Sequence, residues 1–512
     1  MFQHTLGDLL RRTSKRYPHK TALSCGDVTW TYAEFEAITQ AMAGGLAQHG
    51  VKLGDKVAVI SRNSHAFAAL RFALAKMGAV LVPINFMLSA ADAHYILEHC
   101  GASMLCTDAE FAPLGQQAAH NTAVQTYVWL PSEGPSKIPD GFLDFHALLK
   151  APALEPQALD ASLLAQIIYT SGTESRPKGA MLTHSAVIAE YVSCVIDAEI
   201  CEHDVVLHAL PLYHCAQLDV FFGPSIYVGG ENIITGAPTP DNLLRLLSEK
   251  KITSFFAPPT VWIGLLRSDQ FDRTDLSHLK KGYYGASIMP VEVLKEMQQR
   301  LPQVRLWNLY GQTEIAPLAT VLKPEDQLRK AGSAGRATLN VETRVVDDAM
   351  QDVQSGEVGE IVHRSPQLLS GYYHDEERTQ AAFEGGWFHS GDLGIMDEEG
   401  YITVVDRKKD MIKTGGENVA SREVEEAIYK IQAVSEVAVI GLPDAKWIEA
   451  VTAVVVLKPG HVLSEADFFA QCAGLLTHFK APKRVIFVDA LPKNPSGKLL
   501  KRELRQSFAA QA

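Results

Sequence analysis

The feature that most restricts the fold is an alternation of short apolar segments with longer helical ones between residues 56 and 108. Residues 56–63, 80–85 and 103–108 have the composition of buried strands, and residues 66–79 and 89–101 have helical lengths. The second helix opens at a serine and closes at a glycine, as helix caps do. Strands that alternate with helices over short connections predict right-handed βαβ units and a parallel sheet.

The same rhythm predicts a second α/β unit for about residues 165–320. Residues 110–160 are rich in Pro, Gln, Ala and Gly and are predicted to be surface connection. From 331 to 405, short alternating runs separated by Gly and Asp pairs predict a β-rich subdomain. The dense charge cluster DRKKDMIKTGGEN then precedes about a hundred residues of α+β pattern. We therefore predict an N-terminal domain over 1–405, a hinge over 406–410 and a small C-terminal domain over 411–512.

Composition excludes several classes of protein. A chain of 512 residues is too long for one core, and its 47% hydrophobic and 21% charged residues are typical of a soluble globular protein. The net charge of −12 argues against a nucleic-acid partner. The seven cysteines are scattered and lack CxxC spacing, which argues against a zinc site or disulfide framework and favours a reducing compartment. We find no signal peptide and no apolar run long enough for a membrane span, so a cytoplasmic location is predicted.

The stretch YTSGTESRPKG (169–179) follows the apolar run 163–168 and combines hydroxyls, glycines and a lysine. Such a segment at the end of a buried strand favours binding of a crowded anion, because glycines admit backbone N–H groups and Lys178 supplies a countercharge. It is not a Walker A loop, since Pro177 precedes the lysine and Gly179 follows it. A plain flexible turn remains the alternative.

Five further stretches stand out: LPLYHCAQ (210–217), YGASIMP (284–290), NLYGQTE (308–314), WFHSGDLG (387–394) and PKNPSGKLLKREL (492–504). Taken alone, the first two are explained as core around a buried histidine, and the next two as capped or Asp turns. The last is explained as a solvated basic tail. None of them alone indicates a function.

Together and in this order, these motifs resemble the adenylate-forming, or AMP-binding, superfamily, in its acyl-CoA synthetase branch. The resemblance covers essentially the whole chain. YTSGTESRPKG resembles the phosphate-binding loop, YGQTE the adenine and magnesium motif, and SGD the ribose motif. DRKKDMIKTGGEN resembles the hinge, and NPSGK the C-terminal lysine motif. The resemblance implies an α/β N-terminal domain and a mobile C-terminal lid.

The resemblance also implies roles for individual residues, with ATP, Mg²⁺ and coenzyme A as cofactor and co-substrates. The ATP phosphates are expected at Thr170, Ser171, Gly172, Thr173 and Lys178, and magnesium at Thr170 and Glu314. Adenine and the α-phosphate are expected along Gly285, Ala286, Asn308, Leu309, Tyr310, Gly311 and Thr313. The ribose is expected at Asp392 and Arg407. Catalytic roles fall to Lys498, which would bridge the carboxylate and the α-phosphate, to His214, and to Lys409 as the hinge pivot, with Lys413, Gly415 and Gly416 turning towards the thiol in the second half-reaction.

The expected function is therefore an ATP-dependent acyl-CoA synthetase that activates a medium- or long-chain fatty acid as acyl-AMP and transfers it to CoA. The segment HCAQLDVFFGPSIYVGG favours the fatty-acyl branch, and its apolar residues are the expected pocket walls: Val220, Phe221, Phe222, Ser225 and Ile226. The alternatives are an aryl-acid CoA ligase or a stand-alone enzyme that loads a carrier protein. A binding protein derived from this fold is disfavoured because Lys498, Glu314 and Asp392 are intact.

Two positions depart from the family's usual pattern. Glu174-Ser175 stands where Thr-Gly is common, and we expect Glu174 to face solvent or to pair with Arg176. Ile448 stands where glycine usually follows the tryptophan. Small-molecule acid, ATP and CoA are the expected partners, and a homodimer is allowed for.

Overall fold

The computed structural model describes residues 4–170, 176–287, 289–408, 410–415, 417–444, 446–493 and 499–509. Its strands are β1 (Thr21–Cys25), β2 (Val28–Thr31), β3 (Lys56–Ile60), β4 (Val80–Pro83), β5 (Met104–Thr107), β6 (Thr126–Trp129), β7 (Leu143–Asp144), β8 (Leu164–Thr170), β9 (Lys178–Thr183), β10 (Val205–His208), β11 (Glu231–Ile234), β12 (Ser254–Phe256), β13 (Lys281–Gly285), β14 (Arg305–Gly311), β15 (Leu318–Leu322), β16 (Arg336–Ala337), β17 (Glu342–Val346), β18 (Val358–Arg364), β19 (Gly371–Tyr372), β20 (Phe388–Met396), β21 (Ile402–Arg407), β22 (Ile412–Thr414), β23 (Glu417–Val419), β24 (Val434–Asp444), β25 (Ile448–Leu457) and β26 (Arg484–Phe487).

The α-helices are α1 (Leu6–Arg16), α2 (Tyr32–Gln48), α3 (His65–Met77), α4 (Ala90–Cys100), α5 (Ala112–Ala118), α6 (Phe145–Leu148), α7 (His184–Asp197), α8 (Gly223–Val228), α9 (Pro240–Glu249), α10 (Pro259–Arg267), α11 (Val291–Arg300), α12 (Glu376–Ala382), α13 (Ser421–Tyr429), α14 (Glu465–Ala473) and α15 (Lys501–Ala509). Short 3₁₀ turns cover Phe271–Arg273, Thr313–Ile315, Pro324–Asp326 and Glu384–Gly386. A π-helical turn, Ala216–Phe222, runs directly into α8.

The first sheet has eight strands in the order β19-β9-β8-β4-β3-β5-β6-β7, and β8, β4, β3, β5, β6 and β7 run parallel. The alternation over residues 56–108 therefore produces the parallel sheet predicted from it. Ser89 caps α4, and Gly101 ends it in the left-handed conformation. The interpretation of 110–160 as surface connection is wrong in part, because β6 and β7 pair with this sheet.

The second sheet has nine strands in the order β16-β15-β14-β13-β12-β10-β11-β1-β2. Its central strands β10 to β14 are parallel, so their carboxyl ends share one edge. The predicted second unit is correct for these strands, but β8 and β9 belong to the first sheet. Helices α1, α2, α3, α7 and α8 form a hydrophobic core with strands of both sheets, which holds the two sheets together.

The strands after residue 340, apart from β19, form two smaller units. The predicted β-rich subdomain is an antiparallel sheet in the order β17-β18-β20-β21. The C-terminal domain contains the sheet β23-β22-β25-β24, with β26 on β25, packed against α13 and α14. A large α/β domain with a smaller α+β domain confirms the predicted fold class. The residue boundaries of the domains and hinge stay predictions.

The junction between β21 and α13 is tied by side chains. The Asp406 carboxylate accepts hydrogen bonds from the backbone N–H and the hydroxyl of Ser421, at 2.7 and 2.8 Å. The guanidinium of Arg422 donates to the carbonyl oxygens of Val404 and Gly332. In this conformation these contacts hold the start of α13 against the N-terminal domain. No helix among the described residues is long and apolar enough to cross a membrane.

Candidate active site

The predicted site residues gather where strands of the two large sheets end. Thr170 ends β8, Gly285 ends β13, and Gly311 ends β14, with Glu314 in the 3₁₀ turn that follows. Carboxyl ends of strands in open α/β sheets are the usual location of ligand sites, because loops there are free to carry polar groups. Residues more than a hundred positions apart in sequence thus share one edge.

Lys178, Tyr372 and Glu314 form a hydrogen-bonded chain at this edge. Lys178 lies opposite Thr170 in the β8–β9 hairpin. On the other side of β9, Tyr372 of β19 pairs with Ala180, two residues along the strand from Lys178. The Lys178 ammonium donates to the Tyr372 hydroxyl at 2.6 Å, and that hydroxyl donates to Glu314 Oε1 at 2.9 Å. A direct Lys178–Glu314 ion pair measures 3.4 Å.

The phenol stays protonated in this chain. Burial, and secondly the Glu314 carboxylate, raise the pKa of Tyr372 above its ordinary value. A neutral phenol between an ammonium and a carboxylate fixes both groups without neutralising either. The arrangement can therefore present a cation to a phosphate oxygen and a carboxylate to a metal ion.

Thr170 supplies a hydroxyl next to this chain. Its Oγ1 is buried and has no hydrogen-bond partner among the residues that the structure describes. A buried hydroxyl left without a partner costs free energy, so this atom is suited to a ligand. Ser171, Gly172 and Thr173, together with the expectation for Glu174, lie outside the described residues. Arg176 is described, and its guanidinium lies 5.1 Å from the ring centre of Tyr95.

The residues described contain no cluster of three or more His, Cys, Asp or Glu that could hold a metal ion. A Mg²⁺ that arrives with a nucleotide does not need one, since it commonly takes one or two protein oxygens and completes its shell with phosphate and water. The Glu314 carboxylate and the Thr170 hydroxyl, which has no partner within the described part of the chain, are oxygen donors of the right kind. The chemistry of this donor set therefore fits magnesium bound through a nucleotide.

A second polar group joins Asp392 and Arg407 of the β-rich subdomain to Tyr310, which lies on β14 of the nine-stranded sheet. Asp392 on β20 lies directly opposite Arg407 on β21, with Arg407 Nε 3.5 Å from Asp392 Oδ1. The Tyr310 hydroxyl donates to Asp392 Oδ2 at 2.7 Å, and burial raises the pKa of Tyr310 well above its ordinary value. Each carboxylate oxygen keeps a lone pair, so Asp392 can accept hydrogen bonds from two neighbouring hydroxyls of a sugar.

Gly285 ends β13 beside Leu309, and its backbone leaves no space there for a side chain. A Cβ at Gly285 would lie 2.3 Å from the carbonyl oxygen of Leu309 on the adjacent strand. Ala286 has a left-handed backbone with φ of 61°. The Asn308 amide donates to the Ser333 carbonyl at 2.8 Å, which holds its side chain on the opposite face of the sheet from Leu309. A flat ring could lie against Ala286, which is exposed and lines a cavity.

His214 lies at the mouth of a small cavity of about 10 Å³, lined by Leu210, His214, Ala216, Gln217, Phe256 and Ala286. The backbone N–H of Ala216 donates to His214 Nδ1 at 3.1 Å. In the neutral ring the proton is therefore on Nε2. Cys215 Sγ lies 3.3 Å from the hydroxyl of Thr313, which links this loop to the Glu314 turn.

A buried polar network supports the cavity from behind, and sequence reasoning did not anticipate it. Asp219 on the π-helical turn accepts from Arg71 at 2.9 Å, from Gln166 at 2.7 Å and from Tyr191 at 3.3 Å. Removing Asp219 would leave the buried Arg71 charge without its carboxylate, which is strongly destabilising. The network therefore fixes the turn that carries Ala216, Gln217 and Phe221.

The expected pocket walls divide between two cores. Val220 and Phe221 belong to the cluster next to the cavity, with Phe256, Tyr283 and Leu309. Phe222 and Ile226 instead belong to the core with α1 and α3, and the two aromatic neighbours thus face different ways. Tyr372 is absent from the predicted set altogether, and its only sequence signal is the aromatic pair in SGYY.

Of the C-terminal candidates, the structure describes Lys413 and Gly415. The Lys413 backbone N–H donates to Glu449 at 2.7 Å, and the Gly415 N–H donates to the Trp447 carbonyl at 2.7 Å, so both contact their own domain. Gly415 has a φ of 60°, which explains glycine there. Lys409, Gly416 and Lys498 lie outside the described residues.

Comparisons with known proteins agree over nearly the whole chain. Residues 10–373 match the AMP-binding enzyme profile, and residues 423–498 match the AMP-binding enzyme C-terminal domain. A feruloyl-CoA synthase of Amycolatopsis sp is 35% identical over 98% of this chain and 99% of its own. The long-chain-fatty-acid–CoA ligase FadD13 of Mycobacterium tuberculosis is 35% identical over 94% of each chain. The crystal structure of the anthranilate CoA ligase AuaEII with anthranoyl-AMP superposes with a TM-score of 0.92 at 27% identity, covering 99% of this chain and 98% of that one.

Proposed function

Because the chain belongs to the AMP-binding enzyme family and is an AMP-forming acid–thiol ligase, we propose that its substrate is an aromatic carboxylic acid. The acid would be converted to acyl-AMP with release of pyrophosphate and then transferred to CoA. This proposal selects the aryl alternative over the fatty acid that the sequence alone favours.

One observation carries the choice of acid. The cavity beside Ala286 ends against Phe256, whose ring stacks on that of Phe221 with centroids 4.5 Å apart and an interplanar angle of 17°. Any acid must move lining side chains, because about 10 Å³ holds at most one water. A ring could stack on Phe256 once the mouth opens, whereas a long alkyl chain also requires the buried Phe221–Phe256 stack to separate.

The names of two similar proteins support the aromatic class, since feruloyl-CoA synthase and anthranilate CoA ligase act by name on ring-bearing acids. The fatty-acid alternative is supported by FadD13, which is equally identical in sequence. The apolar lining is compatible with both. The Phe221–Phe256 stack at the cavity wall is what favours the ring.

In the first half-reaction, a carboxylate oxygen of the acid attacks the α-phosphorus of ATP, and pyrophosphate leaves. Lys178, fixed by Tyr372, would donate to phosphate oxygens, and Asp392 with Arg407 would hold the ribose. Mg²⁺, when bound by Glu314 and Thr170 together with phosphate oxygens, would neutralise charge that develops on the phosphates. Lys498 would bridge the carboxylate and the α-phosphate.

In the second half-reaction, the thiol of CoA attacks the acyl carbon, and AMP leaves. The C-terminal domain would rotate at Lys409, which would withdraw Lys498 and bring Lys413 and the Gly415–Gly416 turn towards the thiol. A charged linker between two folded units is suited to such a rotation. A homodimer and a cytoplasmic location stay predictions.

The test is an acid-dependent pyrophosphate-release assay with CoA-thioester detection across benzoate, a cinnamate and straight-chain acids from butyrate to palmitate. We expect kcat/KM to be highest for an aromatic acid and to gain little from alkyl chains beyond a few carbons. A value that climbs by about fourfold per methylene up to long chains, as burial of about 0.8 kcal/mol per methylene gives, would reject the aromatic proposal and restore the fatty-acid one.

A further inference from the structure

We infer that the stacked rings of Phe221 and Phe256 set the depth of the acid pocket and limit the substrate to an acid with a single ring. This inference rests on the proposed function and refines it. It assigns to two side chains the exclusion of acids that extend beyond the first ring.

The stack lies across the inner end of the cavity. Phe256 lines the cavity, and Phe221 lies behind it on the π-helical turn, with 3% and 1% of their surfaces exposed. Behind Phe221 a second aromatic layer begins, because its ring lies 5.0 Å from that of Tyr283, which stacks on Trp307 at 5.0 Å. Four aromatic side chains thus pack one behind another from the cavity wall inwards.

Phe221 and Phe256, here called the gate residues, are each held in place by a different element. Phe256 ends β12, where alternation along the strand puts its ring on the face towards the π-helical turn. Phe221 is fixed by the turn itself, which is anchored through Asp219 to Arg71 and Gln166. A longer acid would therefore have to displace a ring whose backbone is fixed, and that costs more than turning an exposed side chain.

The neighbouring phenylalanines supply matched controls. Phe255, next to Phe256 on β12, is also fully buried but packs on Trp262 at 5.3 Å in a different core. Phe222, next to Phe221, packs on His208 at 5.3 Å in the core shared with α1 and α3. Each control removes the same ring from the same element without touching the cavity.

The experiment compares Phe256→Ala and Phe221→Ala with Phe255→Ala and Phe222→Ala, using benzoate and a series of 4-alkylbenzoates. The measured quantity is the ratio of kcat/KM for each alkylated acid to that for benzoate within one variant, so partial loss of folded protein cancels. Phe256→Leu is included as a milder change should the alanine variant fail to fold.

We expect the ratio to rise by about fourfold for each methylene that newly fits in the gate variants and to equal the wild-type ratio in the controls. Equal ratios in all four alanine variants and the wild type would overturn the gate. The same ratios are measured with straight-chain acids in place of the alkylbenzoates. Calorimetry then gives the dissociation constant of each acid for each variant in the presence of AMP. A wild-type preference for straight-chain acids rejects the proposed function alone, because the gate variants still report whether the length limit moves.

Discussion

Replacing Tyr372 with phenylalanine tests the central arrangement of the site. The hydroxyl joins the Lys178 ammonium at 2.6 Å to Glu314 Oε1 at 2.9 Å, and both side chains have proposed contacts with the triphosphate and its metal. The ring can remain in place, so packing against β9 is kept. The change therefore removes the two hydrogen bonds and little else.

The expected loss of activity depends on which contacts remain in the Tyr372→Phe variant. A hydrogen bond to a charged group contributes about 1.5–3 kcal/mol. The direct Lys178–Glu314 contact at 3.4 Å remains and can shorten, so we count one lost bond and not two. A loss of about 2 kcal/mol corresponds to a rate of acyl-adenylate formation lower by about 30-fold. Because burial and the Glu314 carboxylate raise the pKa of Tyr372, the phenol does not ionise near neutrality, and the loss should be equal at pH 6.5 and pH 8.5.

The assay is single-turnover formation of acyl-AMP, followed by a separate measurement of thioester formation from supplied acyl-AMP. We expect only the first to fall in Tyr372→Phe. Tyr373→Phe is the matched control, since its ring lies beside His99 and Lys56, away from Glu314. A Tyr372→Phe rate within twofold of wild type, or an equal loss in both half-reactions, would refute the proposed role of the chain.

Three further changes test separate parts of the molecule. Burial lowers the pKa of His208 to about 4, so below about pH 6.5 the unfolded chain binds a proton at this residue and the folded protein does not. The free energy of unfolding therefore falls as the pH drops from 6.5 towards 4, by about 2 kcal/mol between pH 7 and pH 5 for this group. His208→Gln should lessen that loss in denaturation measured at both pH values. Ile448 is exposed with a φ of 70°, a conformation that costs an L-residue about 1–2 kcal/mol. Ile448→Gly should therefore raise the melting temperature of the C-terminal domain, while Val462→Gly, at an exposed position without positive φ, should not. An unchanged melting temperature in Ile448→Gly would show that the backbone at this residue is not strained. Lys498→Ala should slow acyl-adenylate formation by two to three decades, about 3–4 kcal/mol, and spare thioester formation from supplied acyl-AMP; equal loss in both steps would reject its role.

The positive φ at Ile448 also explains why glycine is usual at this position in the family pattern. The residue begins β25 and pairs with Thr414 beside the Gly415 turn. A β-branched side chain is an outlier at positive φ, where glycine has no Cβ to clash. The usual glycine at this position is thus explained by the backbone, and no such explanation is needed from a ligand.

The sequence by itself determined what depends on neighbours along the chain. Alternation of apolar segments over residues 56–108 predicts the parallel strands, and Ser89 and Gly101 mark both ends of α4 because capping satisfies backbone groups within one turn. The order of the motifs, from the loop after Thr170 to the SGD turn, identifies the family without reference to contacts. Local signals of this kind are readable because their physical cause lies within a few residues.

The tertiary structure decided what depends on residues far apart. Lys178 meets Tyr372 across 194 positions because β19 joins β9, and no local pattern shows that pairing. Phe221 and Phe222 are neighbours of the same residue type, yet the π-helical turn places Phe221 in the core behind the cavity and Phe222 in another core. Strand pairing and the packing of one core against another fix these positions, and both depend on the whole chain closing around them.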